Sequence, residues 1–241
     1  MISCFESLLS KNNNDTVNLD MPILDFAHTK FSADRSVWSY SKVQHCVAAL
    51  IRGRKAFMKL KTRGLVLDIG CGPNSNPKNI NLDYAWHPGV DICCDITRGL
   101  PLSDEYVVGV FSEHCLEHIA PEDALHVCRE MHRVLRPGGR IRIVVPDLEI
   151  YVSRYQAGQP LPYAGEDNIR GIYTPAMSIN RIMRAHGHQF IYDYETLREM
   201  LAACGFIDIT KRKLNDSGDP ALLLDTPGRA IESLYVEACK R

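Results

Sequence analysis

The sequence predicts a doubly wound α/β sheet, a parallel core with helices on both faces. Three observations carry that expectation. From about Gly64 onward, short apolar runs alternate with amphipathic segments. The first run, Leu65-Val66-Leu67-Asp68-Ile69, ends directly in Gly70-Cys71-Gly72. Acidic residues stand at three successive strand ends, as Asp68, Asp83 and Asp95.

The run at 65–69 is nearly all apolar, which is how a strand reads when both of its faces are covered. Further strands are expected at Asn79 to Asp83, Val90 to Asp95, Tyr106 to Phe111 and Arg140 to Val145. Between the last two lies a helix. Pro121 suits its first turn, Glu122 and Asp123 complement its positive end, and Ala124, Val127, Cys128, Met131, Val134 and Leu135 form its apolar stripe. Pro137-Gly138-Gly139 stops it. The stretch from Leu148 to Phe190 breaks the rhythm with Pro160, Pro162 and several Gly, and a short helix opens inside it at Thr174-Pro175. It reads as an insertion over the C-terminal edge of the sheet. A helix over Tyr194 to Cys204 follows, with Asp193 as its N-cap and Gly205 just past its end. Two closing strands are expected near Phe206 to Lys213 and Ser233 to Cys239. Ahead of the core, Val43, Cys46, Val47, Leu50 and Ile51 have helical spacing within 36–61, so residues 1–60 read as an N-terminal helical cover.

Bulk properties narrow the function classes. The 241 residues suit one α/β domain with additions, here 61–241, better than two. Lys plus Arg number 28 and Asp plus Glu 29, so the basic footprint of a nucleic-acid binder is missing. No run of ~18 apolar residues calls for membrane insertion, and Met1 to Ser10 lacks a basic signal-peptide start. The nine Cys form no CxxC pair, and Cys128 and Cys204 fall on apolar helix faces. They read as reduced thiols, and a cytoplasmic location is expected. The oligomeric state is not readable.

The chemistry centres on Asp68-Ile69-Gly70-Cys71-Gly72. Glycines after a buried strand let the backbone turn sharply and approach a ligand closely. A carboxylate at Asp83 can accept from both hydroxyls of a ribose, and one at Asp95 from an adenine amino group. Each alone is an ordinary loop carboxylate; the set favours an adenosine site.

These motifs, with SEHCLEHI, REMHRVLRPGGRIRIVVPD and HGHQFIYDYETLREMLAACGF, resemble the class I S-adenosylmethionine (SAM)-dependent methyltransferases, in particular the small-molecule branch termed type 11. The likeness spans roughly 64–210. It implies a Rossmann-like seven-stranded sheet, SAM as cofactor, and methyl transfer to a small-molecule or sugar-like acceptor, at oxygen by family habit. It also implies that Asp68, Gly70, Cys71 and Gly72 line the methionine part of SAM, that Asp83 holds the ribose and Asp95 the adenine. Ser112, Glu113 and His114 then lie near the sulfonium. The rival reading is a SAM-binding module, or partner subunit, without turnover.

The loop departs from the family. Asn74 replaces the usual third glycine, Ser75 stands where a dinucleotide fingerprint has its own, and Pro73 and Pro77 leave a loop or a stunted helix. A phosphate needs that helix N-terminus. SAM carries no phosphate, which favours it over a nicotinamide dinucleotide.

On the acceptor side, in the insertion of 148–190, His188 and then His186 are the candidate bases, since imidazole takes up a proton near neutral pH. Asp147 either accepts a substrate proton or caps the next turn. His114-Cys115-Leu116-Glu117-His118 matches the H-x-x-E-H pattern of inverted zinc proteases, but no third ligand stands out in the sequence, so no metal is expected.

Overall fold

A computed structural model describes residues 65–161 and 174–241. The expected helical cover over 1–60 and residues 162–173 of the expected insertion lie outside the described residues.

Seven strands form one sheet: β1 (Val66–Ile69), β2 (Ile80–Asp83), β3 (Ile92–Cys93), β4 (Val107–Glu113), β5 (Leu135–Pro146), β6 (Phe206–Arg212) and β7 (Ser233–Lys240). Their order is β3-β2-β1-β4-β5-β7-β6. β1 lies parallel to β2 and β4, and β4 parallel to β5. β7 runs antiparallel between β5 and β6. The chain thus winds outward from β1 in one direction, returns to start β4 on its other side, and closes with a reversed hairpin. This is the class I methyltransferase arrangement, and it puts a switch point between β1 and β4, where ligands of open α/β sheets sit.

Burial explains the strand sequences. All four residues of β1 are buried, because helices or loops cover both faces. Leu67 pairs with Ile80 on one side and Val110 on the other, and all three belong to the main core. β3 is shorter than expected. Asp95 turns back to accept from the Thr97 amide and hydroxyl, starting a 3-10 turn that takes the chain out of the sheet. The β1–β2 connection forms no helix. Its prolines interrupt one, and Asn81 ties it down as a loop, accepting from the Asn76 amide and donating to the Asn76 carbonyl.

Helix α1 (Pro121–Val134) starts at Pro121 and buries Ala124, Val127, Cys128, Met131 and Val134. It ends one residue sooner than its apolar stripe, since Leu135 already pairs with Val107. After β5 comes a helix that the sequence pattern did not reveal, α2 (Leu148–Gln156). It packs with α3 (Pro175–Arg184) around Tyr151, Leu161, Ile182 and Ile191. Thr174 caps α3 and Asp193 caps α4 (Tyr194–Ala203), each accepting a hydrogen bond from the amide three residues on. Among the described residues no helix is long and apolar enough to cross a membrane.

One polar cluster lies inside the sheet. Arg142 on β5 is fully buried, opposite Glu237 on β7. Its five N–H groups go to Asp225 (2.7 and 2.6 Å), Glu237 (3.0 Å) and the carbonyls of Asp216 and Lys213. The pairing pins residues 213–225 across the sheet face.

Candidate active site

A cavity of about 810 Å³ opens at the C-terminal ends of β1, β2 and β4. Its floor is the turn after β1. The amides of Gly70 and Cys71 both reach the Leu82 carbonyl, at 2.8 and 3.2 Å, which holds the turn against β2. Gly70 has φ +74°, and a Cβ there would meet Cys115 at 2.8 Å, so only glycine fits. At Gly72 nothing lies within 4 Å of the Cβ position, so the backbone faces open cavity.

Four carboxylates line the same space, Asp68, Asp83, Asp95 and Glu113. Asp83, at the end of β2, accepts from the Gly72 amide (2.8 Å) and the Ala85 amide (2.8 Å). Glu113, at the end of β4, accepts from the Thr226 amide (2.9 Å) and hydroxyl. Asp68 is buried in β1, and burial, with Glu113 and then Asp83 nearby, raises its carboxyl to about 7. An anionic cavity of this kind disfavours another anion and suits a cation. Neighbouring thiols are not nucleophiles: burial pushes Cys71 and Cys115 far up, and Cys94 to about 12.

The structure brings eight of the nine expected cofactor residues to this cavity: Asp68, Gly70, Cys71, Gly72, Asp83, Asp95, Glu113 and His114. Ser112 is the exception; it is buried within β4, one residue before the cavity wall. Leu224, Thr226 and Arg229 complete the wall from the β6–β7 connection, and no local pattern marks them. They lie more than a hundred residues from Glu113 in a segment without periodicity. Tyr84, His87, Cys115 and His118 were missed as well.

The acceptor-side candidates lie apart. His188 is not a wall residue. Its ring stands edge-on to that of His118, with centroids 4.8 Å apart, and His118 reaches the cavity. His186 lies behind it, 5.8 Å from His188 between centroids, in a 3-10 turn over Ala185–Gly187. Burial lowers the His118 and His188 imidazoles below their ordinary value, so both are neutral near pH 7. Asp147 is buried, caps α2 through the Glu149 amide and pairs with Lys211 at 3.3 Å. Of the two roles open to it from the sequence, the geometry supplies the capping one.

Residues 76–143 match the family model described as the methyltransferase domain. No curated protein sequence matches. Among solved structures, a SAM-dependent methyltransferase from Archaeoglobus fulgidus is 18% identical over 79% of this chain and 93% of its own, with a TM-score of 0.48. A SAM-dependent methyltransferase from Thermotoga maritima is 19% identical over 86% and 97%, with a TM-score of 0.47. A 1,6-didemethyltoxoflavin-N1-methyltransferase from Burkholderia thailandensis, solved with 1,6-didemethyltoxoflavin and S-adenosylhomocysteine, is 18% identical over 86% and 81%, with a TM-score of 0.42.

The matched segment contains Asp83, Asp95 and Glu113, the carboxylates of the cavity beyond β1. The match covers residues 76–143, and the sheet order agrees with the class I SAM-dependent methyltransferase fold that the sequence resemblance implies. SAM is the cofactor that the resemblance implies. The cavity suits that cofactor chemically: a sulfonium and an ammonium group meet carboxylates, and an open glycine backbone borders the space.

Proposed function

We propose that this enzyme methylates a small-molecule or sugar-like acceptor at oxygen. The observation that carries the reading is the anionic cavity at the β1–β4 switch point, bordered on one side by His118, whose ring packs edge-on against His188 behind it.

In this reading Gly70, Cys71, Gly72 and Asp68 hold the methionine part of SAM, Asp83 the ribose, and Asp95 the adenine. Glu113 and His114 border the sulfonium, with Ser112 supporting the strand behind them. SAM supplies an electrophilic methyl on a good leaving group, so the protein contributes mainly alignment and exclusion of water. The Asp83 carboxylate already fixes the Gly72 loop, which is preorganisation of that kind. A hydroxyl acceptor also sheds a proton as its oxygen bonds to the methyl carbon. The neutral imidazoles beside the cavity can take it, with His118 in contact and His188 behind as the base of first choice. His186 is the second choice and Asp147 the third. Net charge of −1 and the anionic cavity favour a neutral or cationic small acceptor over nucleic acid.

Calorimetric titration with SAM, S-adenosylhomocysteine and NAD tests the foundation. Binding of the first two and not of NAD is expected. Saturation at ~100 times the dissociation constant adds about 2.7 kcal/mol of stability, or roughly 5–10 °C in Tm. A panel of hydroxylated, amino and thiol acceptors with labelled SAM then tests the oxygen assignment. Label appearing only on amines would overturn it. Binding without turnover of any acceptor would favour the non-catalytic module.

A further inference from the structure

We propose that Glu117, His118 and His188 form a binding site for a divalent transition-metal ion of the zinc type. The site lies beside the SAM cavity, at the seam between the β4–α1 loop and the segment leading to α4. One ligand atom from each of the three residues lies within 4.8 Å of the other two.

Donor chemistry comes first. Two imidazoles and one carboxylate are a preferred donor set for zinc and its neighbours, with bonds of about 2.0–2.2 Å and room for a further ligand. Tetrahedral coordination brings donors to roughly 3.4 Å apart, so the ligand atoms, now within 4.8 Å of one another, close by up to about 1.4 Å on binding.

The carboxylate supplies an independent reason. Glu117 is fully buried, and its Oε2 has no hydrogen-bond partner. His114 Nδ1 lies 3.2 Å from Oε1, and His118 Nε2 lies 4.0 Å from it. Burying a carboxylate with half of its lone pairs unused is costly, and a cation against Oε2 offsets that cost. His114 then acts as the outer partner that orients a ligating carboxylate. Its other nitrogen is held by Ser233 at 2.9 Å.

The His188 imidazole is oriented as a ligand is. His188 Nδ1 bonds to the Ile182 carbonyl, an interaction that requires N–H at Nδ1 and leaves the Nε2 lone pair to face inward. The two chain segments are stitched together by backbone. Gln189 and Phe190 both donate their amides to the Glu117 carbonyl, at 2.7 and 3.3 Å, and the Gln189 side chain donates to the His118 carbonyl at 2.7 Å. The donors therefore sit on a rigid frame, although His188 is seventy residues from His118 in sequence. That separation hid the third ligand when H-x-x-E-H was read alone. His118 lines the cavity and gives an ion its entry path.

An imidazole that ligates an ion takes up no proton. The ion-bound form is therefore distinct from the form in which His188 serves as base, and the metal site does not depend on that role.

The test uses tag-free full-length protein and Co(II) as a coloured probe, with Zn(II) in competition. We expect one equivalent of Co(II), visible ligand-field bands without a thiolate charge-transfer band, and displacement by Zn(II). His188→Ala and His118→Ala should each weaken Co(II) binding at least tenfold, and exposed His126→Ala should leave it unchanged. S-adenosylhomocysteine titration of the same preparations reports folding and the cofactor site separately. No Co(II) binding by wild type at millimolar concentration overturns the proposal. So does a thiolate band, or unchanged affinity in both His variants.

Discussion

Asp83 and Gly72, eleven residues apart, are joined by a 2.8 Å hydrogen bond from the glycine amide to the carboxylate. The bond joins the end of β2 to the turn after β1, so one side chain both shapes the cavity floor and lines the cavity. Asp83→Ala removes the two together. Loss of a hydrogen-bonded charge is worth ~1.5–3 kcal/mol, so SAM and S-adenosylhomocysteine should bind roughly 10- to 100-fold more weakly by calorimetry. The main core is untouched, so far-UV circular dichroism should be unchanged. Wild-type affinity in the variant would remove Asp83 from the cofactor site.

Asp68 gives the pH dependence. Its carboxyl is raised to about 7 in the folded state from an ordinary 3.8, chiefly by burial. The folded protein thus holds a proton that the unfolded chain has released. The stability it contributes is fully present below 3.8 and is lost as pH rises through about 7. Asp68→Asn cannot ionise, so its Tm relative to wild type should improve between pH 5 and pH 8. Binding of a cation favours the carboxylate form. Wild-type SAM affinity should therefore rise between pH 6 and 8, by at most about tenfold per unit, with proton release detectable by calorimetry in buffers of different ionisation enthalpy. In Asp68→Asn that rise should be absent. Parallel pH profiles for the two proteins would refute the assignment.

The two halves of the site differed in how legible they were. β1, β2, β4 and α1 could be read because each buries a face with a fixed period, and the carboxylates Asp83 and Glu113 stand where those periods stop. Asp95 was legible too, although it caps a turn two residues beyond β3. Thr226 was not. Nothing local marks a threonine that reaches back to Glu113, and only the antiparallel return through β7 brings it there. The same holds for α2, whose single buried residue, Tyr151, leaves almost no apolar stripe to detect. His188 was noticed for its residue type. Its neighbours His118 and Glu117 were visible only as a motif on another segment.

Gly70 tests the cavity floor without touching a charged group. Alanine there must hold φ +74° and place its Cβ 2.8 Å from the Cβ and Sγ of Cys115. The left-handed backbone costs about 1 kcal/mol and the overlap about 1–3 more. Gly70→Ala should therefore lower Tm by roughly 5–15 °C. Cofactor affinity should fall as well, since the turn carries the Gly72 amide. The double variant with Cys115→Gly removes the overlap and keeps the backbone strain, so thermal scans should show only partial recovery. Full recovery would show that the positive φ carries no cost here.

Arg142 ties the core to the cavity. Its Asp225 partner is flanked by Leu224 and Thr226, which stand in the cavity wall. Arg142→Met leaves two buried carboxylates with unequal prospects. Glu237 keeps Arg212 at 3.4 Å and Arg140 at 3.6 Å, whereas among the described residues Asp225 keeps a hydrogen bond only from the Asn215 amide, at 2.8 Å. Breaking a buried pair on one side costs about 3–5 kcal/mol, so Tm should fall by roughly 6–20 °C. Because Asp225 carries most of the uncompensated charge, adding Asp225→Asn should restore part of that loss, and adding Glu237→Gln should restore less. SAM affinity should track Asp225 in the same order, since freeing the 213–226 segment loosens the Thr226 grip on Glu113. Equal rescue by the two second substitutions would mean that the charge is shared evenly and that the cavity wall is anchored elsewhere.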